Sequence, residues 1–189
     1  MQQPALGCAL EHLKDFAGAK RAFCKAIATD PTHAGSHCQL GIVLQAHKDL
    51  GGAESALRAA IAVGPNYALA RAALGSIFRA RKDMVSAGGA HRGAIAADPN
   101  CPVAHFFLGD LLLDEHKDVA SAESAYRDAI AADPTCADAH NNLGYLLQYE
   151  RKDVPGAESA HRGAIAANPK LVEAHNNLEY LLNNMKNFN

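Results

Sequence analysis

Residues 137–169 read ADAHNNLGYLLQYERKDVPGAESAHRGAIAANP, and each stretch upstream is a variant of this one. Pro31, Pro65, Pro99, Pro134 and Pro169 close successive copies, 34, 34, 35 and 35 residues apart. Before each proline come a Leu-Gly step, a Lys-Asp turn and an alanine-rich segment ending in Ala-Ile. A fixed period of this length marks a small unit stacked on copies of itself. The period divides the 189 residues at about 1–33, 34–67, 68–101, 102–136 and 137–171, with a half unit at 172–189. Because each unit touches only its neighbours, the whole array counts as one quasi-linear domain.

One unit reads as two helices. Leu40, Leu74, Leu108 and Leu143 are each followed four residues later by Leu or Phe, which places both on one helix face. Gly41, Gly75, Gly109 and Gly144 remove a Cβ where the paired helix crosses. Ala53 and Ala60, with their equivalents, do the same from the second helix. Asp49, Asp83, Asp118 and Asp153 are N-caps for those second helices. The proline ends the pair and opens the next. Pro4 and Leu6-Gly7 place a first helix before Lys14-Asp15, and the second helix follows over about Phe16 to Thr29. The fourth and fifth units carry one extra residue, near His116 and Arg151, which predicts slightly longer first helices there. The last helix, from Val172 to Met185, lacks a partner to cover Leu178, Leu181 and Leu182 before the turn at Lys186-Asn187-Phe188. Its asparagines, Asn183, Asn184, Asn187 and Asn189, form only a partial polar cap, so this edge is expected to pack on another chain, on a further part of the polypeptide, or end to end on a second copy.

Hydrophobic residues make up 49 % of the chain, but aromatics only 6 %, and Trp is absent. Much of the apolar share is alanine, the best helix former, which predicts an all-α chain with a core of small side chains. No run reaches the roughly 18–20 apolar residues of a membrane span. The opening residues show neither the charged nor the apolar part of a signal peptide. A formal net charge of −2 argues against a nucleic-acid groove. The five cysteines, Cys8, Cys24, Cys38, Cys101 and Cys136, form no C-x-x-C pair. They read as reduced thiols in a cytoplasmic or otherwise reducing compartment.

The ordered set of Leu-Gly, a large apolar residue, Ala, an aromatic or its substitute, Ala and Pro in this period resembles the tetratricopeptide repeat family. The pentatricopeptide RNA-binding repeats share the period but lack this set and are typically basic. The departure from the family lies at its first aromatic position, which holds His37, Arg71, His105, His140 and His175. Its second aromatic position holds Phe23, Leu57, His91, Tyr126 and His161. The resemblance implies a right-handed α-solenoid of about five helical hairpins plus a final single helix. It also implies a concave groove that binds a peptide or helix of a partner.

That groove is lined by first-helix positions around the Leu-Gly step. Here they include Ile42, Leu69, Ser76, Arg79, Phe106 and Asp110 early in the chain, and Asn141, Tyr145, Gln148, Tyr149, Asn176, Tyr180 and Asn183 late. The late groove mixes amides, which can pair with a peptide backbone, and tyrosines, which give contact area at low entropic cost. The lysines and arginines with which chaperone-binding members grip a carboxylate are missing apart from Arg79.

No catalytic constellation or phosphate loop is present in the sequence, so no enzyme activity, cofactor or metal site is expected. Two histidine pairs, His91 with His105 and His161 with His175, should face each other across adjacent helices. They read as half-buried stacks bonded to backbone or to one another. The functional alternatives are a two-histidine metal site or an acid-sensitive joint. The expected role is a scaffold or adaptor within a multi-subunit assembly. The alternative is the substrate-presenting arm of a larger enzyme such as a glycosyltransferase, for which Asn142 and Asn177 are the matching residues.

Overall fold

The structure, a computed structural model, describes residues 16–186. Among them lie ten helices and no strand. These are α1 (Phe16–Thr29), α2 (Ala34–Ala46), α3 (Leu50–Val63), α4 (Ala68–Ala80), α5 (Met84–Ala97), α6 (Pro102–Asp114), α7 (Val119–Ala132), α8 (Ala137–Leu146), α9 (Val154–Ala167) and α10 (Val172–Lys186). The helix expected around Pro4, Leu6 and Gly7, the Lys14-Asp15 turn, Cys8, and the final residues Asn187, Phe188 and Asn189 lie outside the described residues. The chain divides into two compact blocks, Met1–Phe107 and Leu108–Asn189.

In the N-terminal block, α2 pairs with α3 and α4 with α5. The core is built of Cys38, Ile42, Leu44, Leu57, Leu74 and Ile77 set among alanines, with Phe16, Tyr67 and Phe78 packed at its margin. Leu57 and Ile77 are fully buried, and each such side chain contributes about 2–3 kcal/mol relative to exposure. Ala53, Ala60 and Ala94 are also sealed from water. In the C-terminal block, Ala122, Ala129, Ala157 and Ala164 hold the equivalent positions and are likewise buried. Small side chains there let helix pairs approach closely.

The glycine of each Leu-Gly step marks the closest approach. A Cβ on Gly41 would lie 2.6 Å from Leu57, and one on Gly75 would lie 2.5 Å from the His91 ring. In the C-terminal block Gly109 faces Tyr126 at 2.7 Å and Gly144 faces His161 at 2.6 Å. The second aromatic position of each hairpin therefore docks on the glycine of its own first helix.

The turns are also repetitive. The carboxylates of Asp49, Asp83, Asp118 and Asp153 accept from the backbone N–H three residues on, at 2.9, 3.1, 3.1 and 3.0 Å. The lysine before each aspartate takes a left-handed backbone, with φ of 63° at Lys48 and Lys82, 52° at Lys117 and 57° at Lys152. A side chain there costs on the order of 1 kcal/mol, and it is the bend that closes the first helix.

The extra residue of the fourth and fifth repeats does not produce longer α-helices. Helix α6 has 13 residues, as α2 and α4 do, and α8 stops at Leu146. After α8 the chain widens into a π turn over Leu147–Arg151. Asp49 and Asp83 donate their N–H to carbonyls five residues back, Leu44 and Phe78. Asp118 and Asp153 donate to carbonyls six residues back, Leu112 and Leu147. A wider loop absorbs one residue without rotating the second helix by about 100° against its glycine groove.

Candidate functional site

The first aromatic position of the repeat is a clasp. His37 Nε2 lies 2.9 Å from the carbonyl oxygen of Pro31, and His105, His140 and His175 make the same contact with Pro99, Pro134 and Pro169 at 2.8, 3.1 and 2.9 Å. Arg71 reaches Pro65 with two N–H groups, at 3.1 and 2.8 Å. A carbonyl only accepts, so each Nε2 carries the proton. The sequence left His105 and His175 bonded either to backbone or to a facing histidine, and the backbone bond is the one found, with the proline carbonyl as its acceptor. The signal was available: His or Arg stands six residues after every repeat proline.

This clasp corrects the expected histidine pairs. His91 and His161 are fully buried, and neither ring nitrogen of either one has a hydrogen-bond partner. His91 is therefore not bonded to His105, nor His161 to His175. His91 lies on Gly75 and stacks on Phe107 with ring centroids 5.5 Å apart. Burial, and then the nearby Arg79 guanidinium, lower its pKa to about 4. Burial lowers that of His161 as well. A histidine whose Nε2 donates to a carbonyl cannot offer that atom to a metal. Among the described residues no group of three or more His, Cys, Asp or Glu could hold a metal ion. No disulfide joins the described cysteines; Cys38 is buried, and burial pushes its thiol up to about 12.

Five of the expected groove residues lie in the N-terminal block. Ile42 and Ser76 are buried, and the Ser76 hydroxyl donates to the Ala72 carbonyl at 3.3 Å. Leu69 is half-buried against the core. The Arg79 guanidinium sits 4.7 Å above the Phe107 ring, and Phe106 packs beside that ring at 5.0 Å.

The other eight lie in the C-terminal block, and several are brought together. Asp110 accepts from the Tyr126 hydroxyl at 3.0 Å and from Asn142 Nδ2 at 2.9 Å. Asn177 Nδ2 donates to Asn141 Oδ1 at 3.0 Å, which ties α10 to α8. Tyr145 and Tyr149 pack at 4.6 Å, and loss of water, then the neighbouring Tyr180 and Tyr145, raise the Tyr149 pKa. Tyr145, Tyr149 and Tyr180 are 48 %, 37 % and 52 % exposed. Gln148 is half-buried, while Asn176 and Asn183 are exposed. Asp138 keeps exposed surface, yet partial loss of water, then Asp110 and Glu173, raise its carboxyl pKa. On α10, Leu178 and Leu182 are half-buried but Leu181 is buried, so the expected uncovered leucine face is smaller than the sequence implied.

Paired helices closed by a capped Lys-Asp turn and packed through a glycine–ring contact define a helical-hairpin repeat protein. Tetratricopeptide repeat models match residues 38–102, 90–135 and 108–172, and a further one matches residues 5–33. The chain belongs to the tetratricopeptide repeat family. Among solved structures, a thermophilic tetratricopeptide protein of Thermus thermophilus aligns with a TM-score of 0.72 at 17 % identity, over 94 % of this chain and 95 % of that one. MamA aligns with a TM-score of 0.62 at 22 % identity, over 91 % and 99 %. YrrB, described as a tetratricopeptide protein with an unusual peptide-binding site, aligns with a TM-score of 0.58 at 21 % identity, over 89 % and 86 %. These likenesses speak to the fold. No curated protein sequence matches the chain. No helix among the described residues is long and apolar enough to cross a membrane.

Proposed function

We propose that the chain is a protein-interaction scaffold without chemistry of its own, holding a peptide segment of a partner within a larger assembly. The observation that carries this reading is the surface of the C-terminal block, where three tyrosines stand together and half-exposed beside a row of amides. Each ring offers on the order of 150–250 Å² of contact, and a tyrosine loses little freedom when it is covered. The exposed amides of Asn176 and Asn183 can meet the N–H and C=O groups of an extended chain. YrrB, a protein of similar fold described by its peptide-binding site, adds support. Cysteines that are not joined in disulfides among the described residues suit a reducing, cytosol-like compartment.

The rival reading, a substrate-presenting arm of a glycosyltransferase, relied on Asn142 and Asn177. Both already donate within the block, to Asp110 and Asn141. A peptide array probed with the protein and with the Tyr145→Ala/Tyr180→Ala variant tests the scaffold reading. The expected result is a set of bound peptides that the variant loses while its thermal melt is unchanged. Equal binding by both proteins would remove this surface from the function.

A further inference from the structure

Helices α8 and α10 carry the same stripe 35 residues apart, in ADAHNNLGY and VEAHNNLEY. Asp138 corresponds to Glu173, Asn141 to Asn176, Asn142 to Asn177, and Tyr145 to Tyr180. Residues three, four and seven apart share one helix face, so each helix presents acid, amide and tyrosine in that order along its length. The earlier first helices lack the pattern. The positions of the acid, the first amide and the tyrosine hold Gly35, Cys38 and Ile42 in α2, Leu69, Ala72 and Ser76 in α4, and Val103, Phe106 and Asp110 in α6.

The two stripes lie side by side in one block. The Asn177–Asn141 bond joins them in the middle, and at the tyrosine end Tyr145 packs on Tyr149 with Tyr180 near by. At the other end, one turn before the joined asparagines, Asp138 and Glu173 stand at equivalent positions of the two helices, and both are exposed. Among the described residues no ion pair engages Asp138 or Glu173. The histidines that could have answered them, His140 and His175, are turned back to Pro134 and Pro169. Arg151, in the turn after α8, is held by Glu123 at 2.8 Å. The face therefore has an acidic end, a polar middle and an aromatic end.

We propose that this face docks a basic, extended segment of a partner protein. Its lysine or arginine side chains meet Asp138 and Glu173, its backbone crosses the asparagine row, and its apolar side chains or cationic stems rest on Tyr145, Tyr149 and Tyr180. The proposal rests on the scaffold reading above and adds the chemical class of the partner. Charge complementarity selects this occupant. An acidic segment or a phosphate backbone would bring like charge against the carboxylates, whereas a cation gains both the carboxylates and the faces of the rings.

The test uses three fluorescent peptides of equal length on one Ala-Pro-Leu frame, with arginine, glutamate or serine at every third position. Fluorescence anisotropy is read against the full chain at low salt and at about 0.15 M salt. The arginine peptide is expected to bind at least about tenfold more tightly than the glutamate peptide, with the serine peptide between them. Asp138→Asn and Glu173→Gln should each weaken the arginine peptide about threefold. Asp138→Lys/Glu173→Lys should reverse the preference. Both acids are on the exposed surface, and an unchanged circular dichroism melt shows that the variants fold. Equal binding of arginine and glutamate peptides, still lost in Tyr145→Ala/Tyr180→Ala, overturns the basic partner and leaves the scaffold reading standing. Binding of no peptide, or binding indifferent to the tyrosines, overturns both.

Discussion

A methyl group on Gly75 would sit 2.5 Å from Cε1 of His91, inside any real carbon contact, and that ring is sealed between its own hairpin and Phe107. The same group on Gly89, two residues before His91, meets nothing within 4 Å. Both glycines are helical, so both start with the same gain of about 1 kcal/mol on becoming alanine. At Gly75 overpacking costs on the order of 1–3 kcal/mol and wins. Gly75→Ala should lower the thermal midpoint and Gly89→Ala should raise it, by several degrees in opposite directions. Two shifts of the same sign would mean that helix propensity rather than the close crossing governs the hairpin. At this scale the sequence was informative because a repeated glycine beside a repeated leucine has few structural uses. It was not informative about exposure. Ile42 and Ser76 hold the same repeat position as Tyr145 and Tyr180, yet the first two are buried and the tyrosines stand half in water. The outcome depends on the length of the side chain and on its neighbours, neither of which a period encodes.

The helices themselves were placed by their caps. Aspartate three residues before a free N–H, a left-handed lysine before it, and a proline at the far end leave little freedom in where each second helix begins. The clasp from His or Arg to the proline carbonyl fixes the entry to each first helix in the same way, although it joins residues that a helical wheel does not bring together. The wide turn after α8 shows what the element tolerates. One added residue is taken up between Leu147 and Arg151, and Asp153 still caps α9 at 3.0 Å. Sequence reasoning assigned that residue to the helix because counting cannot distinguish a longer helix from a wider turn. Deleting Glu150, an exposed residue of that turn, should restore the five-residue spacing seen at Asp83. The melting midpoint should stay within about 5 °C of the parent, a shift that corresponds to roughly 1–2 kcal/mol. Loss of the helical circular dichroism signal would show that the wide turn is required by the packing of α9.

Across the whole molecule the buried imidazoles make acid the natural denaturant. Among the described residues each block contains one fully sealed imidazole, His91 in the first and His161 in the second, and neither has a partner for its ring nitrogens. An unfolded histidine takes up a proton near pH 6.5, but the folded His91 does so only near 4, because burial and then Arg79 disfavour its charge. Stability from this site is whole above pH 6.5 and is lost progressively as the pH falls toward 4. At pH 5 the difference amounts to about 2 kcal/mol for His91 alone, with a further loss in the same direction from His161. Leu57 supplies the control, since leucine fills the same repeat position over Gly41 and is fully buried there. His91→Leu removes two unsatisfied nitrogens, so it should be at least as stable as the parent at about pH 7.5. Urea melts at about pH 7.5 and about pH 5 should then show a smaller fall for His91→Leu than for the parent, and the smallest for His91→Leu/His161→Leu. An equal fall in all three proteins would locate the acid sensitivity in the carboxylate caps, whose pKa values at Asp83 and Asp118 are lowered by their bonds to Ser86 and Ser121. Those caps lose their contribution only as the pH falls through the carboxylate range. Melts extended to about pH 3 therefore separate the two causes by the pH at which each loss sets in.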